Sequence, residues 1–380
     1  MTHGGLLRIG FKLLVNDRAK FSALLIGITF AVFLMMQMTA MFAGILSRAC
    51  ANITNVGAPM WIIDPAVNTP TAPIPLPDYL LDAARSIDGV RYAVPIFVGG
   101  AQVRLASGTY QGVTVIGLDD ASLFGRPELL QGRLADIYAD DAFLVVQDAE
   151  FEKLEHPRIG TAFELNDHRG VIAGIARVAS NGLNGVPTLY TTYSHAIETL
   201  PTTRYTISYV LLSPRDEAAA ARVKREVARL GYLALTQEEF KARVTDFYTW
   251  KTGIGTNILM MTVISFLVGL SISGQTFYSF ILENLEKFGA LKAIGAKASD
   301  LVAMILFMAT FTALTGFGLG IGLVTLMISI ARARLPNYAA IVTYGNLALA
   351  FAMVLVIAAA SSYVGIRRVL RIEPFDIFRG

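Results

Sequence analysis

The chain has one cysteine, four histidines and, over four long stretches, no charged residue at all. A single cysteine, Cys50, excludes an intrachain disulfide. It follows the first apolar stretch too far from the N-terminus to resemble a lipid-attachment cysteine. The histidines, His3, His156, His168 and His195, show neither H-x-x-x-H nor H-E-x-x-H spacing, so no metal site is expected. There is no G-x-x-x-x-G-K-[ST] loop, so the chain cannot cradle nucleotide phosphates in that manner. There is also no G-x-S-x-G elbow. The adjacent acids Asp119-Asp120, Asp140-Asp141 and Glu238-Glu239 diverge on any regular backbone and read as solvated turns rather than acid–base pairs. The expectation is a chain that is not an enzyme, binds no cofactor itself and has no nucleic-acid partner.

What is present is hydrophobicity. Hydrophobic residues make up 54% of the 380 positions and charged ones 16%, too apolar for an ordinary soluble domain. The charge-free stretches are 21–47, 252–282, 301–331 and 335–366. Each exceeds the ~20 residues that cross a hydrocarbon core, and helices satisfy their own backbone there. The last carries Pro336, Asn337 and Asn346, so its span is placed from Tyr344. The first is too long for the ~7–15 apolar residues of a secretory signal. The fold class expected is an α-helical membrane protein with four transmembrane helices (21–47, 252–282, 301–331, 344–366) and an α+β domain between the first and second.

Basic residues orient it. Arg8, Lys12, Arg18 and Lys20 precede the first span. Lys287, Lys292 and Lys297 lie between the second and third, and Arg367, Arg368, Arg371 and Arg379 close the chain. The positive-inside rule puts all three groups in the cytoplasm, with both termini inside and residues 48–251 exported, 48–236 of them as the periplasmic domain. Arg332 and Arg334 in the short outer loop, 332–343, are a mild violation. Residues 1–20 segregate Leu7, Phe11, Leu14 and Val15 from Arg8, Lys12 and Arg18, as in a helix along the inner membrane surface.

In the large domain the patterns predict strands at 60–64, 93–98, 102–105, 111–116, 143–146 and 207–212. Helices are predicted at 77–86, 148–154 and 216–230, the last with Ala218, Val223, Val227 and Leu230 on one side. A hairpin is expected around Asn166-Asp167. The order suggests two subdomains, the second inserted at about 119–204. Residues 237–251, with Glu239, Phe240, Tyr248 and the interfacial Trp250, read as a stalk helix leading into the second span. Within the spans, Gln37, Asn257 and Gln275 read as interhelical hydrogen-bonding residues. Gly316, Gly318, Gly320 and Gly322 read as a close helix-packing face.

The interruption at 283–299, within a cytoplasmic segment at 283–300, is short and amphipathic. On a helix, Glu283, Glu286, Lys287 and Ala290 share a side that Ala293, Ile294 and Lys297 continue; Leu285, Phe288, Leu291 and Lys292 oppose it. Such a segment suits either a groove on a soluble partner or the membrane interface alone.

The run Glu286-Lys287-Phe288-Gly289-Ala290-Leu291-Lys292-Ala293-Ile294-Gly295-Ala296 resembles the coupling element, ending L-K-A-[I/L/M]-G-A, of MacB/FtsX-type (type VII) ABC transporter permeases. The tail Arg371-Ile372-Glu373-Pro374-Phe375-Asp376-Ile377-Phe378 resembles that family's closing R-x-x-P-x-x-x-[F/L]. Thr236-Gln237-Glu238-Glu239-Phe240, Tyr248, Trp250 and Gly253-Ile254-Gly255 are similar to the DevC branch, which lacks a fused ATPase. The resemblance implies a Porter/Sabre-like periplasmic domain and a place in the bacterial inner membrane. It implies ATP and Mg in a separate cytoplasmic ATPase dimer, and a second permease copy, identical or a close paralogue. A periplasmic adaptor and an outer-membrane channel would complete an efflux path for a hydrophobic or amphiphilic substrate. ATPase-coupling contacts are expected from Glu283, Glu286, Lys287, Ala290, Leu291, Ile294, Gly295 and Ala296, with Glu286, Leu291 and Gly295 central. A lipoprotein-releasing permease, a cell-division permease of the FtsX kind and a non-transport membrane sensor are the alternatives.

Overall fold

The computed structural model describes residues 3–183, 185–200, 205–335 and 337–371. It divides into a helical unit, residues 1–44 and 254–380, and an α/β unit, residues 45–253. Labels below follow chain order.

The helical unit begins with α1 (His3–Asn16) and α2 (Arg18–Ala49) and ends with α8 (Ile254–Glu283), α9 (Leu285–Ala293), α10 (Ala298–Arg334) and α11 (Tyr344–Leu370). Four of these, α2, α8, α10 and α11, are long and apolar enough to cross a membrane. The first break comes at Asp17, whose carboxylate accepts a 3.2 Å bond from the Lys20 N–H. Leu6, Gly10 and Leu14 of α1 are buried. A Cβ on Gly10 would stand 2.5 Å from Met304 Cγ, so this face lies directly on α10. Phe11 and Val15 are exposed, whereas Leu14, expected on the same membrane-facing side, is buried in the core of the helical unit.

The expected glycine face of α10 also divides in two. Gly316 and Gly320 are buried against α2, where an added Cβ would meet Ile28 Cγ2 and Val32 Cγ1, each at 2.6 Å. Gly318 and Gly322 have open space around them, because two residues along a helix is about 200° of rotation. Among the described residues they meet no neighbouring helix. Of the three polar residues expected between helices, only Gln37 is buried, and it donates to the Tyr338 hydroxyl. Asn257 and Gln275 face outward on α8.

The α/β unit contains α3 (Ala51–Val56), α4 (Tyr79–Ser86), α5 (Tyr193–Thr199), α6 (Glu217–Arg229) and α7 (Gln237–Asp246). Its strands are β1 (Met60–Ile63), β2 (Val90–Arg104), β3 (Tyr110–Leu118), β4 (Glu128–Gly132), β5 (Ala142–Val146), β6 (Ala162–Leu165), β7 (His168–Arg177), β8 (Thr188–Thr192), β9 (Tyr209–Pro214) and β10 (Leu233–Thr236). One sheet has the order β10-β1-β9-β2-β3-β8-β5-β7-β4, with β6 pairing both β2 and β7. The excursion from about 119 to 204 supplies β4 to β8 and α5, then returns beside β1 and β2. Because β8 pairs in parallel with β3, both halves share a continuous sheet.

The strands expected at 93–98 and 102–105 are one strand, β2, which pairs β9 along its first half and β3 along its second. The short helix expected at 148–154 is a 3₁₀ turn over Phe151–Leu154. The β6–β7 hairpin turns at Asn166 and Asp167 with φ of 45° and 67°, the left-handed pair a two-residue turn requires. On α6 the buried residues are Ala219, Val223 and Val227; Ala218 and Leu230 are exposed. The aromatic rings of Trp61, Tyr209 and Phe240 meet edge to face with centroids 5.6–6.0 Å apart, fixing α7 on the sheet.

Candidate coupling segment

The segment after α8 is a helix between two stops. At the first, Asn284 is buried; its amide donates to the Phe280 carbonyl at 2.9 Å and its oxygen accepts from Lys287 Nζ at 2.8 Å. Helix α9 then buries Phe288, Gly289 and Leu291. At the second stop Gly295 adopts φ +98°, a left-handed position where a side chain would be strained. The Gly295 N–H bonds the Lys292 carbonyl at 3.1 Å and the Ala296 N–H bonds the Leu291 carbonyl at 3.0 Å. These are the two bonds of a Schellman stop, with Leu291 and Ala296 making its apolar closure. Asp300 then accepts from the Lys297 N–H at 3.2 Å to open α10.

This geometry sorts the expected contact residues. Leu291 and Ala296 are only 9% and 7% exposed and belong to the core of the helical unit. Their expected place on a partner surface is therefore corrected: they and Gly295 build the turn. Glu283 is exposed but engaged, since its carboxylate pairs with the Lys20 ammonium. Glu286, Lys287, Ala290 and Ile294 remain exposed, Ile294 at 72%. On the other flank, Lys292 Nζ reaches the Leu370 carbonyl at 3.4 Å. Of the expected closing motif, all but Arg371 lies outside the described residues.

The expected stalk residues have mostly internal duties. Thr236 and Glu239 form a reciprocal capping box at the start of α7. Lys224 donates to the Glu239 carboxylate at 2.6 Å, and this bond with the Thr236 N–H holds its pKa below the ordinary value. Phe240 is fully buried in the α/β unit. Tyr248 is half-buried, and desolvation raises its phenol pKa. Trp250 is exposed. Instead of running straight into the next span, α7 continues as a π-turn, Phe247–Lys251. It ends at Gly253, φ +74°.

Sequence reasoning passed over His195. Its ring is buried, with Nδ1 2.8 Å from Thr191 Oγ1, and that hydroxyl donates to the Ala142 carbonyl at 2.9 Å. Desolvation lowers its pKa. Among the described residues no three His, Cys, Asp or Glu side chains converge as a metal site.

Two family models match the chain. That of the MacB-like periplasmic core domain matches residues 22–230, more than half of it. That of the FtsX-like permease C-terminal region matches residues 259–374, which include α9. Among solved structures, the chain is similar to the extracellular domain of the noncanonical ABC-type transporter YknZ from Gram-positive bacteria. That match has 14% identity, 47% of this chain, 99% of that one and TM-score 0.36. It is also similar to the periplasmic region of MacB from Actinobacillus actinomycetemcomitans, at 13% identity, 50% and 94% coverage and TM-score 0.37. With an FtsX-like region carrying the last three long helices and a MacB-like core between the first and second, the chain belongs to the MacB/FtsX-like permeases of ABC transporters.

Proposed function

We propose that this chain receives ATP-driven motion from a separate cytoplasmic ABC ATPase dimer through α9 and passes it to the α/β unit on the far side of the membrane. The observation that carries this is the exposed face Glu286, Lys287, Ala290 and Ile294, set on a helix stopped rigidly at both ends between two long apolar helices. An isoleucine 72% exposed beside an acid and a base suits a partner groove better than open solvent. The basic groups around the first span, α9 and the tail support a cytoplasmic face for all three.

On this account ATP and Mg belong to the partner, and a second permease copy, identical or paralogous, completes the pair. The DevC-like residues support export of a hydrophobic or amphiphilic substrate from the inner membrane through a periplasmic adaptor and an outer-membrane channel. The spans support the same view. No acid or base interrupts their apolar cores, so work crosses the membrane and cargo does not pass between these helices. Affinity purification from native membranes tests it. An ABC ATPase should accompany the wild-type chain and be depleted from Ile294→Asp, with thermal stability unchanged. A preparation with no ATPase, or one retained fully by the variant, sinks the proposal. A co-purifying adaptor favours efflux, whereas a co-purifying peptidoglycan hydrolase favours a cell-division role.

One observation favours a ligand-sensing reading. A cavity of ≈ 840 Å³ opens in the α/β unit beside the β6–β7 hairpin, with Arg104, His156, Arg158, Phe163, His168 and Arg169 in its wall. Its size is in the range of small-molecule sites. Tight binding of an anionic detergent by the purified full chain, lost in Arg158→Ala and independent of any ATPase, would support sensing. No binding would leave the coupling reading alone.

A further inference from the structure

Among the described residues, no carboxylate pairs with Arg8, Lys12 or Arg18, and all three are exposed. Lys20 is the contrast, since Asp17 and Glu283 both reach its ammonium. At about 100° per residue, Arg8 and Lys12 share one outward side of α1. Leu7, Phe11 and Val15 occupy the side adjoining it, while Leu6, Gly10 and Leu14 are buried.

Two ring contacts give the depth of this helix. Phe311 of α10 meets Phe11 edge to face, with centroids 5.2 Å apart, and stacks on Phe21 at 6.5 Å. Phe21 is the first residue of the charge-free stretch of α2. The middle of α1 therefore lies close to the level at which α2 turns apolar, with Arg18 just before it. That level is the boundary between hydrocarbon and headgroups. A groove of ≈ 540 Å³ follows the outward side, with Phe11, Lys12, Leu13, Val15, Asn16 and Arg18 in its wall. Cations beside apolar side chains at that depth match a molecule with an anionic head and acyl chains. A soluble partner would have to cover Phe11 and Val15 where lipid already does.

We propose that α1 is a selective binding site for anionic phospholipid, with Arg8, Lys12 and Arg18 on the head and Phe11 and Val15 against the acyl chains. Lying on a membrane needs apolar contact alone, whereas unpaired cations add a choice of lipid. Each cation near an anionic lipid surface favours it roughly fivefold. The inference takes nothing from α9 or from an ATPase.

The test places the full chain in phosphatidylcholine vesicles with a trace of spin-labelled phosphatidylglycerol or spin-labelled phosphatidylcholine. Electron paramagnetic resonance gives the share of each label held at the protein surface. The wild type should hold phosphatidylglycerol at least about threefold over phosphatidylcholine. Arg8→Gln, Lys12→Gln and Arg18→Gln together should remove most of that preference. Arg8→Lys, Lys12→Arg and Arg18→Lys together should keep it. Arg126→Gln, Arg133→Gln and Arg225→Gln, the same loss of charge at exposed sites of the α/β unit, should leave it unchanged. Because the α1 positions are exposed, the glutamine variant should keep its thermal midpoint; single substitutions, each removing part of the preference, serve where it does not.

A wild type without preference overturns the proposal. So does an equal fall in the α/β control, which would make the preference an effect of total charge. Loss of a co-purifying ATPase from the glutamine variant with lipid preference intact assigns the face to a protein and overturns it as well. A lipid preference in a chain that no ATPase accompanies leaves this proposal standing and sinks the coupling reading instead.

Discussion

The ammonium of Lys20 and the carboxylate of Glu283 form an ion pair that ties the start of α2 to the end of α8, at the first residue of the segment 283–300. The lysine is the more buried partner, with its side chain 20% exposed against 63% for the glutamate. Removing the acid leaves the partly desolvated ammonium with only the longer contact to Asp17, at 3.8 Å. Lys20→Glu or Glu283→Lys alone should lower the thermal midpoint in nanodiscs, and the double exchange should restore most of it. A double mutant no better than the worse single one would show that the pair does not couple the helices.

Gly316 and Gly320 should tolerate nothing larger. Alanine at either position drives a methyl into Ile28 or Val32 and is expected to cost about 1–3 kcal/mol from overpacking. Alanine at Gly318 or Gly322 meets no neighbour and should be neutral or mildly stabilising, because it restores helix propensity. Unfolding in detergent of the four single variants measures the split.

In the coupling segment, burial separates two kinds of failure. Leu291→Ala leaves a void beside Phe288 and the Schellman stop, and should cost about 2 kcal/mol or more of stability. Ile294 is 72% exposed, so Ile294→Asp should leave stability nearly unchanged while reducing stimulation of the ATPase at least tenfold. Equal effects on stability from both would mean that Ile294 is structural.

His195 predicts a pH dependence. Its native pKa lies below the ordinary value of 6.5, so the folded state holds fewer protons than the unfolded one as pH falls through that value. Stability is then complete above the unfolded pKa and declines as pH drops toward the native one. The melting of the α/β unit within the full chain should shift down between neutral pH and about pH 5. In His195→Gln that part of the shift should disappear.

Thr236→Ala should destabilise α7 by about 0.5–2 kcal/mol through loss of its cap. Hydrogen exchange along α7 would register this as faster exchange of the Glu239 amide, which the Thr236 hydroxyl accepts at 3.2 Å.

Four spans, the intervening domain and the break at α9 were legible in the sequence because charge and length alone mark them. The faces were less so. In α1 the apolar pattern of Leu7, Phe11, Leu14 and Val15 suits a membrane surface, while Gly10, which lies directly on α10, has no side chain to announce that contact. Against lipid, an apolar residue signals contact with something apolar, not with protein. The same ambiguity put Gly318 beside Gly316. Strand β8 and helix α5 went unread although three of the five residues of β8, Thr188–Thr192, are threonines that favour strands, because the strand is short and owes its place to a parallel pairing with β3 over 70 residues earlier. In the coupling run, Leu291, Gly295 and Ala296 carry the strongest pattern for a reason internal to the chain: they terminate a helix. Glu286, Lys287, Ala290 and Ile294, which share a helix side in the sequence, are the residues that stay exposed.

The central claim is that motion started at α9 reaches the α/β unit. A spin label at Ser107→Cys, on the exposed β2–β3 turn, in a Cys50→Ala background would report the distance between the two copies of the proposed pair. With the ATPase partner in nanodiscs, that distance should change on adding ATP and Mg and return after hydrolysis, and Ile294→Asp should abolish the change. A distance distribution indifferent to ATP in an assembly that hydrolyses it would contradict the account.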